Sequence, residues 1–231
     1  MSSYGSLTTF TSTGELGQIK HAQAAVNKGA TALGVKVGTG VVLLAEKKSP
    51  SPLVDPSSIT KVFVVDEHIG LTYSGLGPDA RVLVDEARRE CQNYRLRYHE
   101  PMPVGQLVRE LAMIYRDYTQ AASVRPFGVS LLVAGADALG PHLYQLDPSG
   151  TALAWKAVVA GKNATSTRTA LEKRYKQEDS VDEALYASLI TIKEVLDSER
   201  SPEVIECGVV RDGKFRRLTD QELKDLIAET V

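Results

Sequence analysis

The sequence predicts an α+β fold, in which antiparallel sheet is layered and helices pack outside it. Strand signals and helix signals both come in runs: one helix, four strands, two helices, about four strands, two helices, two strands and a last helix. No strand alternates singly with a helix, which excludes parallel βαβ architectures. Residues 16–48 set out the pattern, because there a helix passes into a hairpin through Gly29 and Ala30.

Ser12 and Glu15 stand ahead of the first helix at capping-box spacing. Leu16, Ile19, Ala22 and Val26 form its apolar stripe, and Gly29 ends it where a left-handed residue is expected. Thr31, Leu33, Val35 and Val37 then alternate with Ala32, Gly34 and Lys36, the period of a strand. Gly38-Thr39-Gly40 is a tight turn. The unbroken apolar run from Val41 to Ala45 reads as a strand covered on both faces, hence a central one. Residues 49–60, with Pro50, Pro52 and Pro56, form a loop. A second hairpin spans 61–74 and turns at Asp66-Glu67-His68.

Gly75-Leu76-Gly77-Pro78 is a strand-to-helix junction with proline in the first helical turn. The helix it opens runs to about Tyr98, with Val82, Leu83, Ala87, Cys91 and Tyr94 inward. Pro101 and Pro103 break it. The next helix carries Leu107, Val108, Leu111, Ile114, Tyr115 and Tyr118 on one face, and the two should lie antiparallel. Strands follow at 127–134 and 142–146, then the turn Asp147-Pro148-Ser149-Gly150, then one or two strands in 151–160. Helices follow at 165–176 and 181–199. Ser180 and Glu183 cap the second, whose stripe is Leu185, Leu189, Ile192 and Leu196. Strands at 203–210 and 214–218 flank Asp212-Gly213. Thr219 and Glu222 cap a final helix.

Composition narrows the function. At 231 residues and 43% hydrophobic, residues 1–231 are expected to form one domain, with residues 1–13 as a mobile tail and 14–28 as the N-terminal helix. The net charge of −2 gives no reason to invoke nucleic acid or a membrane surface as partner. No apolar run is long enough to span a bilayer or to resemble a signal peptide. Cys91 and Cys207 are far apart in apolar elements and read as buried free thiols of a reducing compartment, the cytoplasm or nucleus. The sequon Asn163-Ala164-Thr165 is therefore set aside.

Recognisable catalytic chemistry is missing. His21, His68, His99 and His142 show no metal-ligand spacing and have no cysteine pair, so neither metal nor cofactor is expected. Ser74 is not in a G-x-S-x-G elbow, and Gly75-Leu76-Gly77 lacks the rest of a dinucleotide fingerprint. Lys61 by itself reads as a solvated lysine at a strand start.

Many short stretches nevertheless resemble one family. They include Leu7-Thr8-Thr9-Phe10, Gly14 with Leu16, Gln18 and Ile19, Ala22 with Ala25 and Val26, and Glu46-Lys47-Lys48. Tyr73-Ser74-Gly75-Leu76-Gly77-Pro78-Asp79, Arg81 to Val84, Val124 to Leu132, Asp147 to Gly150 and Leu171 to Tyr175 extend the series. In this order, over essentially the whole chain, they resemble the alpha subunits of the 20S proteasome.

The resemblance implies a four-layer αββα sandwich of the N-terminal-nucleophile hydrolase type, seated in an outer alpha ring. It implies neighbouring alpha subunits, beta-ring subunits, a regulatory ATPase particle or other activators, and unfolded substrate protein in transit as partners. The polar positions of the first helix, Gln18, Lys20, His21, Gln23 and Lys28, would then meet neighbours or solvent. Catalytic members of the wider family free a threonine after a glycine, and its own amine serves as base. Here Ala30 follows Gly29, Glu46 stands at the aspartate position, Lys61 at the lysine position, and Thr31 is one residue late. The implied function is thus non-catalytic: ring assembly, pore gating and activator docking. The rival is a stand-alone N-terminal-nucleophile amidohydrolase, and a blander third reading is a scaffold of the same fold outside any proteasome. The docking pocket implied comprises Lys61, Gly29 and Leu76, with Lys61 as a point charge for an activator's C-terminal carboxylate. The gate implied is the tail with Tyr4, Gly5, Ser6 and Thr8. It departs from the family in keeping only the tyrosine of a tyrosine-aspartate-arginine triplet, in Ser12 for a proline, and in Lys20-His21 for glutamate-tyrosine.

Overall fold

Five strands of alternating side chains make each of two antiparallel sheets in the computed structural model, which describes residues 10–49, 51, 53–121, 123–177, 179–195 and 204–229. In chain order the elements are α1 (Gly17–Lys28), β1 (Ala32–Val37), β2 (Gly40–Glu46), β3 (Val62–Asp66), β4 (Ile69–Gly75), α2 (Gly77–Tyr98), α3 (Val104–Gln120) and β5 (Val129–Asp137). Then come β6 (Gly140–Leu146), β7 (Ala152–Ala154), β8 (Ala157–Ala160), α4 (Ala164–Arg174), α5 (Val181–Val195), β9 (Ile205–Arg211), β10 (Lys214–Arg217) and α6 (Asp220–Glu229). The first sheet runs β10-β9-β2-β1-β8 and the second β3-β4-β5-β6-β7.

The period of two sorts side chains into layers. Ala32, Val41, Leu43 and Ala45 of the first sheet meet Leu132, Ala134 and Leu143 of the second. Leu33, Val35, Val42 and Leu44 point the other way, onto Leu171, Leu185, Leu189, Ile192 and Leu223 of α4, α5 and α6. Leu71, Leu131 and Val133 pack under Leu83, Ala87, Leu107, Leu111 and Tyr115 of α2 and α3. The layers are therefore helix, sheet, sheet, helix. With both faces of β2 covered, its unbroken apolar run follows, and it lies in the middle of its sheet as expected.

Several local expectations are met atom by atom. The Ser180 hydroxyl accepts the Glu183 amide at 3.2 Å while the Glu183 carboxylate accepts the Ser180 amide at 2.7 Å. Thr219 and Glu222 exchange the same bonds at 3.3 and 2.8 Å. Asp147 closes its turn by accepting the amides of Ser149 and Thr151. Cys91 and Cys207 are buried and unpaired with each other.

Other expectations need correction. Ser12 and Glu15 form no capping box: Gly14, at φ 77°, turns the chain, and Thr11 accepts the Glu15 amide instead. Leu16 becomes the residue before α1, with no side-chain cap. Gly29 is extended, at φ −66°, rather than left-handed. Val82 is 49% exposed, since Ala80, Leu83, Val84 and Ala87 already fill the buried face of α2. Residues 151–160 make two strands of different sheets. The Trp155 amide donates to Leu143 on the second sheet, and Lys156 accepts from Lys36 on the first, so the chain crosses between sheets within two residues. Tyr4, Gly5, Ser6, Thr8, Pro50, Pro52 and Leu196 lie outside the described residues.

Candidate functional site

The joint between α1 and β1 is set against the C-terminal end of β4. A Cβ on Gly29 would stand 2.3 Å from the Gly75 amide nitrogen and 2.6 Å from Ser74 Oγ, so only glycine permits this approach. The Ser74 hydroxyl lies between the carbonyl oxygens of Val26 and Ala30, at 3.1 and 2.9 Å, and donates to them. From the other side the Lys162 amide donates to the Gly29 carbonyl at 2.8 Å. Gly161, at φ 102°, brings its backbone so close that a Cβ would lie 2.6 Å from the Ala30 carbonyl oxygen.

The polar groups of Thr31 are all committed, its carbonyl to the Glu46 amide at 2.8 Å. The Thr31 amide donates to Glu46 Oε2 at 3.0 Å, and the Thr31 hydroxyl, 1% exposed, donates to the Lys162 carbonyl at 2.6 Å. The Glu46 carboxylate therefore holds the approach to β1. Ala30 offers no nucleophile, and α1 gives it an amide in place of a free amine.

Lys61 is 6% exposed and not a solvated strand-start lysine. Glu206, a lone carboxylate in the apolar strand β9, accepts the amides of Lys61 at 2.5 Å and Val62 at 3.2 Å and also pairs with Arg217. The Lys61 ammonium sits 3.7 Å from the centroid of the Tyr73 ring. Burial lowers its pKa to about 8, against the opposing pull of the Glu46 and Glu206 carboxylates. Leu76 follows β4 directly. Its amide donates to the Gly128 carbonyl at 2.9 Å, and its side chain is 43% exposed.

The structure therefore brings Gly29 against Gly75 and Leu76, and ties Lys61 to the same strand end through Tyr73, two residues before Gly75. The bond network Asp79–Arg125, with Asp79 accepting two guanidinium bonds at 2.6 and 2.8 Å and the Gly128 amide at 2.9 Å, braces the loop beside Leu76. Sequence reasoning missed Glu206, Gly161 and Arg125 as parts of this site. For Glu206 a signal existed: a single carboxylate between Ile205 and Cys207 in an otherwise apolar strand needs a buried partner.

A four-layer αββα sandwich with Ala30 just ahead of its first strand is an N-terminal-nucleophile hydrolase frame without a nucleophile at that place. The comparisons with known proteins agree. A family described as proteasome subunit matches residues 26–210. Over 226 residues, 98% of this chain and 97% of the relative, the sequence is 55% identical to proteasome subunit alpha type-2 of Trypanosoma brucei brucei. It is 49% identical over 225 residues to proteasome subunit alpha type-2-A of Arabidopsis thaliana, covering 97% and 96% of the two chains. It is 49% identical over 223 residues to the alpha type-2 subunit of Dictyostelium discoideum, covering 96% of each. The chain belongs to the proteasome subunit family.

Proposed function

We propose that this chain is a non-catalytic structural subunit of the outer alpha ring of the 20S proteasome, where it assembles with other proteasome subunits. One observation carries this reading: the Gly29–Ala30 peptide bond is sealed between β4 and Gly161, with alanine where the nucleophile would stand. End-to-end similarity to alpha type-2 subunits supports it. In the ring the tail from Tyr4 to Thr8 gates the pore, and the surface around Gly29, Leu76 and Lys61 docks the C-terminal carboxylate of an activator such as a regulatory ATPase particle. Unfolded substrate passes through the particle, which works in cytoplasm and nucleus.

The test is the native mass of the tagged chain drawn gently from its own cells, together with the intact mass of the chain. A particle many times the 25.0 kDa chain, with residues 1–29 retained, is expected. A monomer or small oligomer cut near residue 29 would sink this reading and reopen the amidohydrolase one. Within the particle, Lys61→Ala should weaken activator binding and leave assembly intact. Docking should also weaken as pH rises through about 8, where the ammonium loses its proton. Activator binding unchanged in Lys61→Ala would remove Lys61 from the docking surface.

A further inference from the structure

Tyr73 is buried near the end of β4, with 7% of its surface exposed. Its ring packs by Phe63, at 6.2 Å between centroids, and under the Lys61 ammonium. Its hydroxyl ends beside Gly77, the first residue of α2, where a Cβ would stand 3.1 Å from the oxygen. That oxygen has no hydrogen-bond partner among the described residues, yet it is not sealed from solvent as the orphaned indole nitrogen of Trp155 is. Buried hydroxyls normally find a partner, so this one is available to a bound molecule.

The groups around the oxygen favour an anion. α2 starts without a side-chain cap, and a helix N-terminus left open in this way attracts negative charge. Asp79, in the first turn, is bound to Arg125 and to the Gly128 amide. Arg81, one turn along α2, acts on the same hydroxyl through its charge. The acids that face Lys61 are Glu46 of β2 and Glu206 of β9. Glu46 accepts the Thr31 amide, while Glu206 accepts the amides of Lys61 and Val62 and pairs with Arg217 of β10. Burial raises the pKa of the Tyr73 hydroxyl, which keeps its proton at neutral pH and remains a donor. The Lys61 backbone is fixed as well, because the buried Thr72 hydroxyl donates to its carbonyl at 2.8 Å.

We propose that Tyr73 is a specificity-determining residue of the docking surface: its hydroxyl donates a hydrogen bond to the activator's C-terminal carboxylate, while the Lys61 ammonium over its ring supplies the charge. This rests on the docking reading above and adds to it a second ligand-binding group and a selectivity. An ammonium alone attracts any anion. A free carboxylate has acceptors for both donors, whereas a terminal amide loses the charge and turns an NH₂ toward one of them.

The test uses the native particle with only this subunit carrying methyl-labelled leucine, and follows the Leu76 methyl signals. The probes are short peptides copied from the C-termini of the regulatory ATPase particle, each made with a free carboxylate and as the C-terminal amide. Tyr73→Phe keeps the ring under Lys61 and removes the hydroxyl. It should weaken binding of the free-carboxylate peptide about tenfold and leave the weaker binding of the amide unchanged, with an unaltered melting temperature. Wild-type binding in Tyr73→Phe, or equal weakening for both peptides, would overturn the proposal. Lys61→Ala separates the two readings. If it weakens binding while Tyr73→Phe does not, the role of Tyr73 falls alone; if neither does, the docking reading falls and takes this proposal with it.

Discussion

Lys61 shows how little a residue's type says about its state. Its ammonium is buried over Tyr73, with Glu46 and Glu206 as the nearby acids, and burial wins over their attraction. The pKa falls from 10.5 to about 8. Between these values the folded chain has released the proton that the unfolded chain still binds, so stability rises with pH across that window, by at most about 3 kcal/mol. Below pH 8 the charge is carried in both states and the full cost of burying it remains. Lys61→Met keeps the apolar stem and removes the charge. It should raise the melting temperature at pH 7 and flatten the rise from pH 8 to 10.5; parallel melting curves for the two proteins would refute the assignment. Ala30 is the opposite case, a residue whose chemistry is complete in its name. Without a hydroxyl or thiol it supplies no nucleophile, whatever surrounds it.

At the scale of elements, α1 is held by its end as much as by its face. Among the described residues it buries only Ala22 and Val26, and the Gly29–Gly75 contact locks its C-terminus onto β4. Gly29→Ala puts a methyl group against backbone, which cannot give way as a side-chain tip would. Overpacking of this kind costs about 1–3 kcal/mol, so the variant should unfold at lower denaturant, with faster hydrogen exchange in residues 17–28 than in β2. A variant with wild-type stability and exchange would show that the joint has slack. The helix starts divide by the same logic. Ser180 with Glu183, and Thr219 with Glu222, are pairs three residues apart with nothing between them to turn the chain, and they cap as their spacing says. Ser12 with Glu15 has the same spacing, but Gly14 lies between at a positive φ and swings Ser12 out of reach.

In the whole molecule, two sheets face each other and helices cover both outer faces, so groups at the inner layers are shielded by the entire fold. Cys207 is fully buried and Cys91 equally so, and burial holds the Cys91 thiol at about 12 and pushes Cys207 higher still. Both should ignore an aromatic disulfide reagent at pH 8 in the native chain and react together on global unfolding, with one rate set by that unfolding. Prompt reaction of either thiol in the native protein would mean that a layer opens locally. The order of elements, the central place of β2 and the hairpin turns at 38–40, 66–68 and 212–213 were legible from periodicity and turn residues, because each is written within ten or so residues; the turn between β5 and β6 was not. The empty nucleophile position was legible only through the family resemblance, which places it at Ala30 after Gly29. Which sheet each strand joins was not. Ala152–Ala154 and Ala157–Ala160 look like one run or two, and only pairing with β6 and β1 parts them. The state of Lys61 was equally hidden, for its carboxylate partner Glu206 is 145 residues away. Local pattern thus determined the elements, because these depend on a residue and its near neighbours, and likeness to a family marked the missing nucleophile. Tertiary structure alone decided burial, charge state and the sealed joint, because each arises where strands distant in the chain exclude water together.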